Sequence, residues 1–325
     1  MSNSMANPKR RTTGQISGEN VVIGVAWMYY QDGMNQKDIA DKLGISRATV
    51  VNYLQEARER GYIRITLNAP AFTTHRAALA LCQKFGIAAA YVVPDEGCDT
   101  ETAFLRVVRG AADWLPTLLE PGDRLGVAWG RTVYEMAELV EVQSLDDLTV
   151  LQLVGSMATP YGFTAEACST RLSQRLGARC LNLHAPAVIS SAALAAELRA
   201  EPIIHAQLEQ LETVNKSLFS VGTADPTSHI VVSGLATLDD LEWHRAHGAI
   251  GVLCGRFIDE NGTAIPGPMN ERMIGVPIDR LVGLDMGILV TPGVDKLVAT
   301  QAAIRGGYVT HLVCGLSVAE ALLAS

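Results

Sequence analysis

The sequence predicts an α/β domain, with a mostly parallel sheet and helices on both faces, behind a small all-α N-terminal domain of helix-turn-helix type. Three observations support this. The first 67 residues hold three short helical segments separated by tight turns. From residue 88, short apolar β-rich runs alternate with helical segments. The net charge also changes sign between the two parts. A chain of 325 residues is long enough for two domains.

Composition narrows the class of protein. Hydrophobic residues make up 48% and charged residues 18%, which fits a packed globular chain and excludes a disordered or fibrous one. No apolar run approaches the roughly 18 residues of a membrane span, and the polar start lacks the apolar core of a signal peptide. The six cysteines form no C-x-x-C pair, so we expect a reducing cytoplasm, no metal site and no cofactor.

The charge asymmetry points to a nucleic-acid-binding head. Residues 1–67 hold nine Lys and Arg against six Asp and Glu, whereas the whole chain has a net charge of −8. A basic head on an acidic body is typical of DNA-binding proteins. Lys9, Arg10 and Arg11 lie in a flexible basic arm over residues 1–18 that would follow the DNA backbone or enter a minor groove. The alternative is a tail without contact to DNA.

The head has the spacing of a helix-turn-helix. A first helix over 19–31 ends at Asp32-Gly33, and Asn35 caps a second helix over 36–43. Gly44 suits a left-handed C-cap, and Ser46 caps a third helix that ends at Gly61. The short link between the second and third helices forces a sharp crossing, which places the third helix in the major groove of DNA.

Apolar residues occupy the inner face of the third helix, so its start and outer face are left for DNA. Arg47 can contact guanine, Asn52 adenine and Thr49 a thymine methyl group. Ser46 and Gln36 suit backbone phosphates. The predicted DNA-binding residues are Gln36, Ser46, Arg47, Ala48, Thr49, Asn52, Arg10 and Arg11. The alternative is a helical docking module in which Arg47 and Asn52 are merely solvated.

A domain boundary is predicted near residue 67. The alternating run Tyr62–Leu67 predicts a short strand, which Asn68-Ala69-Pro70 ends. We therefore expect a DNA-binding domain over 19–67, a linker helix over 68–86, and an α/β domain for effector binding and oligomerisation over 87–325.

Eight strands are predicted in the body, mostly separated by helices. Runs this apolar indicate a largely parallel sheet that is covered on both faces. Asn261-Gly262 predicts a tight turn in a less regular stretch, where a hairpin would fit. The predicted strands are Ala88–Val93, Arg124–Trp129, Leu148–Val154, Arg179–His184, Ser217–Val221, Ala249–Ile258, Gly287–Thr291 and Val309–Cys314.

Glycine turns follow several of these strands. In a parallel sheet, ligands bind beyond the carboxyl ends of the strands, and free N–H groups at a helix start bind anions. Each turn alone is better explained as a helix cap, and Lys296 alone as a solvated lysine, but together they predict a phosphate or polyol site. The predicted effector-binding residues are Gly130, Arg131, Thr132, Gly155, Ser156, Gly222, Asp225 and Lys296.

The other groups of polar residues give little support for metal binding or catalysis. His244 and His247 with Cys254 form an incomplete metal-ligand set. Ser233 lacks the Gly-x-Ser-x-Gly frame of a hydrolase nucleophile. A sugar-phosphate isomerase with an appended helical module is the alternative function, but it needs a general base, and Asp225, Asp285 and Asp295 all have ordinary turn or cap explanations. A third alternative is a DNA-binding protein whose body serves assembly only.

The order of these segments resembles the sorbitol-operon regulator (SorC) family of bacterial transcription factors, over about residues 19–324. The resemblance is carried by several motifs. They are Ala26-Trp-Met-Tyr-Tyr-Gln-Asp-Gly33, Gln36-Lys-Asp-Ile-Ala-Asp-Lys-Leu-Gly-Ile-Ser-Arg47, Gly126-Val-Ala-Trp-Gly-Arg-Thr132, Gly248-Ala-Ile-Gly251, Phe257-Ile-Asp-Glu-Asn-Gly262, Pro292-Gly-Val-Asp-Lys296 and Gly306-Gly-Tyr-Val-Thr-His-Leu-Val313.

The resemblance implies an effector domain of the sugar-phosphate isomerase fold, which is also CoA-transferase-like. It implies a phosphorylated sugar or sugar-like effector and a double-stranded DNA operator. It also implies tetramers that are built as dimers of dimers. The regulated target would be a carbohydrate-utilisation operon, which is more often repressed than activated. The turn at Gly130 would hold phosphate and Lys296 would contact the ligand. Val252 stands where the family commonly has an aspartate, and Cys314-Gly315-Leu316 replaces a family Thr-Asp-Glu, so a less hydroxylated or unphosphorylated effector is an alternative.

Overall fold

The computed structural model describes residues 18–65, 67–157 and 162–325, and these form two compact units that divide at residues 66 and 67. The first unit is all helical and the second is α/β. The fold class predicted from the sequence is confirmed. The predicted arm residues Arg10 and Arg11 lie outside the described residues.

The first unit contains three helices, α1 (Gly18–Tyr30), α2 (Gln36–Leu43) and α3 (Arg47–Glu59). Their apolar faces meet in a small core, where Val25, Ile39, Val50 and Leu54 are almost completely buried. Helical spacing of these side chains explains why the three segments fold as one unit. After α3, the described residues Tyr62–Ile65 form no strand, so the strand predicted there is wrong.

The second unit has ten strands and twelve α-helices among its described residues. The strands are β1 (Ala89–Val93), β2 (Arg124–Val127), β3 (Thr149–Gln152), β4 (Arg179–Leu181), β5 (Lys216–Phe219), β6 (Val221–Thr223), β7 (Gly251–Leu253), β8 (Arg256–Ile258), β9 (Met286–Thr291) and β10 (His311–Gly315). The helices are α4 (Ala69–Thr73), α5 (Arg76–Phe85), α6 (Thr100–Trp114), α7 (Arg131–Leu139), α8 (Ala165–Leu176), α9 (Ala192–Ala200), α10 (Pro202–Leu211), α11 (His229–Val232), α12 (Leu238–Ala246), α13 (Pro268–Arg272), α14 (Leu297–Arg305) and α15 (Leu316–Ala324).

Seven strands form one parallel sheet in the order β1-β10-β9-β5-β2-β3-β4. Both faces are buried, because successive side chains of one strand enter different cores. Ala90 and Val92 of β1 face the core that includes α5 and α15, whereas Tyr91 and Val93 face the core that includes α6 and α7. The continuous apolar runs in the sequence follow from this double burial.

The predicted strand Ala249–Ile258 is in fact a hairpin. β7 and β8 pair antiparallel and, with β6, form a separate three-stranded sheet. The turn consists of Cys254 and Gly255, with φ angles of 47° and 77°. Two positive φ angles are typical of a tight hairpin turn, but cysteine is an unusual residue there. A tight turn also forms at Asn261-Gly262, where the N–H of Gly262 donates to the carbonyl of Asp259.

The segment predicted as a linker helix is part of the α/β unit. α5 begins at Arg76, and Ala77, Ala78 and Leu81 on its inner face are buried in the main core. The helix contacts β1 and α15. Within the described ranges, no helix has the length and apolar character needed to cross a membrane.

Candidate functional site

Three local contacts fix the start of α2 and the turn between α2 and α3. The Asn35 side chain accepts hydrogen bonds from the backbone N–H groups of Lys37 and Asp38, each 3.0 Å long. Gly44 ends α2 in the left-handed conformation. Ser46 then caps α3, because its Oγ accepts from the N–H of Thr49 at 3.0 Å. These caps hold the geometry that the sequence predicts.

The predicted DNA-binding residues of the described part share one region at the starts of α2 and α3. The side chains of Ser46, Arg47, Ala48 and Asn52 are exposed, while Gln36 and Thr49 are half-buried. Arg47 Nε donates to Gln36 Oε1 at 3.1 Å, which links the first residues of the two helices. This region therefore offers a guanidinium, amide and hydroxyl groups, and a helix N-terminus.

The α/β unit has a cavity of about 520 Å³, a size typical of small-molecule sites. It lies at the carboxyl ends of the adjacent strands β2, β5 and β9, and the turn of the β7–β8 hairpin adds a wall. In a parallel sheet, this edge is where ligands bind. Six of the eight predicted effector-binding residues line it: Gly130, Arg131, Thr132, Gly222, Asp225 and Lys296.

The start of α7 is a potential anion site. Gly130 occupies the N-cap with a φ of 116° and offers no side-chain cap, so it leaves the first N–H groups of α7 for another acceptor. The positive φ also explains the glycine, since other residues are strained there.

Cationic groups gather next to this helix start. Burial lowers the pKa of Lys296; Asp295 opposes this effect, and the charge of Arg131 adds to it. Burial likewise lowers the pKa of His229, and the charges of Lys296 and Arg131 lower it further. These mutual effects place three groups that can be positive close together, which favours an anionic ligand.

Arg131 is held by two side chains of α6. Its Nη2 atom lies 2.5 Å from Glu101 Oε1, and its Cζ atom lies 4.2 Å from the centre of the Phe104 ring. Both α6 residues line the cavity. Neither residue lies in a turn that directly follows a strand, so the sequence did not predict them as cavity residues.

Asp225 is engaged in a local turn. Its Oδ1 accepts from both the N–H and the Oγ1 of Thr227, at 2.8 and 2.6 Å. Burial raises the pKa of Asp225, but hydrogen bonds from Thr223 and Thr227 and the charge of Arg245 outweigh burial and lower it. The carboxylate is therefore ionised at neutral pH.

Gly155 and Ser156 do not line this cavity, so their assignment to it is corrected. A Cβ on Gly155 would lie 2.7 Å from the carbonyl oxygen of Ala185 and 2.8 Å from Cα of Ala187. Ser156 forms backbone hydrogen bonds with the same segment, and its Oγ lies 3.3 Å from the carbonyl oxygen of Leu183. The glycine is required by close packing of two chain segments.

Of the three candidate bases of an isomerase, only Asp285 lies away from the cavity. Asp285 precedes β9 and accepts a hydrogen bond from Asn215 Nδ2 at 3.2 Å. It lies at the amino ends of the strands, opposite the cavity. Asp225 and Asp295 line the cavity, but Asp225 serves the turn described above. His244 and His247 pack against aromatic rings, and the described residues contain no cluster of three or more potential metal ligands.

A helix-turn-helix unit joined to an α/β unit with a small-molecule cavity defines the class of ligand-responsive DNA-binding regulators. Comparison with known proteins places the chain within this class. Residues 69–324 match the Sugar-bind family of sugar-binding domains, and residues 27–60 match region 4 of sigma-70 factors.

The transcriptional regulator YjhU of Escherichia coli K12 is 36% identical over 97% of both chains. The deoxyribonucleoside regulator of Bacillus subtilis is 28% identical over 94% of this chain and 97% of its own. The full-length sorbitol operon regulator SorC of Klebsiella pneumoniae shares the fold, with a TM-score of 0.79 and 23% identity over 95% of this chain and all of the other.

This chain belongs to the Sugar-bind family, and its relatives are transcriptional regulators. The relatives are regulators and not enzymes, so the alternative of an isomerase is not supported. The resemblance stated from the sequence motifs is confirmed.

Proposed function

We propose that the protein represses a carbohydrate-utilisation operon and that a phosphorylated sugar or sugar-like effector controls its binding to operator DNA. The first unit would bind the operator as part of a dimer, with α3 in the major groove. Arg47, Ala48, Thr49 and Asn52 would face base edges, while Ser46 and Gln36 would contact phosphates. Arg10 and Arg11 would add contacts to the DNA backbone.

The single observation that carries the effector class is the start of α7. An uncapped helix N-terminus, Gly130, Arg131 and Lys296 meet in one cavity of small-molecule size. Hydrogen bonds from backbone N–H groups, together with nearby cations, are the usual recognition elements for phosphate. Thr132, Gly222 and Asp225 would complete the site.

Control would operate by a population shift. The effector binds one arrangement of the protein better than another, so that the arrangement competent for DNA becomes less populated. A dimer of dimers and the direction of control, repression, rest on the family resemblance, whereas a cytoplasmic location rests on the pattern of cysteines. Light scattering after size exclusion tests the oligomeric state.

Thermal unfolding of the full-length protein tests the effector class. A ligand at 100 times its dissociation constant stabilises the folded state by about 2.7 kcal/mol. We expect stabilisation by at least one of ribose 5-phosphate, 2-deoxyribose 5-phosphate and glucose 6-phosphate, with weaker effects of the unphosphorylated sugars. Stabilisation by the free sugars alone would reject a phosphorylated effector. The absence of any shift would reject this group of ligands.

A further inference from the structure

Two buried hydroxyl groups in the cavity lack hydrogen-bond partners. The Oγ atoms of Ser220 and Ser228 are inaccessible, and neither has a partner among the described residues. Both serines line the cavity. A buried polar group without a partner destabilises the protein, so orphaned groups at a ligand site indicate contacts that a ligand completes.

The position of Ser228 makes its free hydroxyl unusual. Ser228 is only 6% exposed and occupies the N-cap of α11, yet its side chain caps no N–H group. Ser46, Ser191 and Thr164 hold the same position in other helices, and each accepts a backbone hydrogen bond with its side chain. The hydroxyl of Ser228 is therefore not used by the helix that follows it.

Ser220 shares the cavity with an apolar wall. It lies between β5 and β6, and Val221 of β6 pairs with Leu253 of β7. Val252 and Cys254, on either side of Leu253, line the same cavity. Burial raises the pKa of the Cys254 thiol to about 12, so this wall stays neutral at physiological pH.

We propose that Ser220 and Ser228 are specificity residues whose hydroxyls turn into the cavity and bind an uncharged oxygen of the effector, a hydroxyl or carbonyl group, away from its phosphate. The inference rests on the proposed function, since it assumes that the phosphate lies at the start of α7. The serines then bind the part of the ligand that lies away from the phosphate, while Val252 and Cys254 contact its carbon skeleton. The two serines distinguish between ligands, because a ligand without the matching oxygen leaves both hydroxyls unpaired.

The test compares Ser220→Ala and Ser228→Ala with Ser217→Ala as the matched control. Ser217 is also buried with an unpaired hydroxyl, but it does not line the cavity. Each variant is titrated in calorimetry with inorganic phosphate and with whichever of ribose 5-phosphate, 2-deoxyribose 5-phosphate and glucose 6-phosphate binds the wild type most tightly. Thermal unfolding without ligand checks folding.

The cavity variants should bind the sugar phosphate about 5- to 10-fold more weakly while their affinity for inorganic phosphate stays unchanged. Without ligand, all three variants should unfold at the wild-type temperature or above, because each loses an unsatisfied group. Equal affinities for the sugar phosphate in wild type and cavity variants would overturn this inference and leave the proposed function intact. Equal losses of affinity for inorganic phosphate and for the sugar phosphate would also overturn this inference. If the wild type binds none of the three sugar phosphates, the proposed function fails and the inference with it.

Discussion

Arg47 and Gln36 are joined by a hydrogen bond of 3.1 Å from Nε to Oε1, between the first residue of α3 and the first residue of α2. The bond spans the turn of the helix-turn-helix. It orients the guanidinium of Arg47 beside the N-terminus of α3, where side chains reach base edges in proteins of this class. Gln36 is therefore expected to act on DNA both directly and through Arg47.

Replacing Arg47 tests base recognition. Arg47→Ala should weaken specific binding by about 1–3 kcal/mol, with relaxed preference at one base pair. Gln36→Ala should have a smaller effect, since it removes the orienting partner and leaves the guanidinium. Fluorescence anisotropy with labelled DNA from the region upstream of the gene measures both.

Arg60→Ala is the control for that measurement. Arg60 follows the C-terminal end of α3 and pairs with Glu56 at 2.6 Å, so its loss should not change base preference. A loss of preference in Arg60→Ala that equals the loss in Arg47→Ala would contradict the assignment of the reading face.

Ser46 allows stability and DNA binding to be separated. Ser46→Ala removes the N-cap of α3 and should lower stability by about 1 kcal/mol. Ser46→Asp retains a cap but places a negative charge near the DNA phosphates. We expect it to unfold near the wild-type temperature in a thermal scan and to bind DNA much more weakly. Strong DNA binding by Ser46→Asp would show that no phosphate lies near this residue.

The ion pair between Glu101 and Arg131 should compete with an anionic effector. Glu101→Gln removes the negative charge from the mouth of the cavity, so binding of inorganic phosphate should become about 2- to 5-fold tighter at low salt. Calorimetry at two salt concentrations measures the change, and the difference should shrink at high salt. Weaker phosphate binding would mean that Glu101 positions Arg131 instead of competing for it.

Histidines whose pKa values are lowered predict loss of stability in mild acid. Burial is the chief cause that lowers the pKa values of His229, His244 and His311. Below about pH 6.5 the unfolded chain binds protons at these residues, while the folded chain resists them. The free energy of unfolding should therefore fall as the pH decreases from 7 towards 5, as measured by urea titrations.

His244 provides the test of that pH dependence. Its ring is fully buried, with Nδ1 2.6 Å from the carbonyl oxygen of Asp240. His244→Gln should reduce the slope of stability against pH in this range. His205→Gln, at an exposed histidine, is the control substitution. Parallel profiles for wild type and His244→Gln would mean that His244 titrates alike in both states.

Local signals in the sequence predicted much of this structure. Asn35, Gly44 and Ser46 act within their own turns, so the helix-turn-helix is visible in a short window. The parallel strands are visible because both faces are buried. The hairpin at Cys254 was hidden, because an apolar run without the usual Asn-Gly pair looks like one strand.

The cavity was harder to predict because its residues come from distant segments. Gly130 and Lys296 follow strands, where ligand residues are expected. Glu101 and Phe104 reach the cavity from α6 through their contacts with Arg131, and no spacing in the sequence shows such contacts. Gly155 also follows a strand, yet close packing against Ala185 accounts for it.

We expect a ligand in the cavity to control DNA binding by the helix-turn-helix. Anisotropy with labelled upstream DNA tests it in wild type and in Lys296→Met, while a sugar phosphate that stabilises the wild type is added. We predict that the wild type releases DNA as the ligand is added, whereas Lys296→Met binds DNA equally well and keeps it. Two results would contradict this expectation. One is an unchanged DNA affinity of the wild type at saturating ligand. The other is release of DNA by Lys296→Met at the ligand concentrations that release it from the wild type.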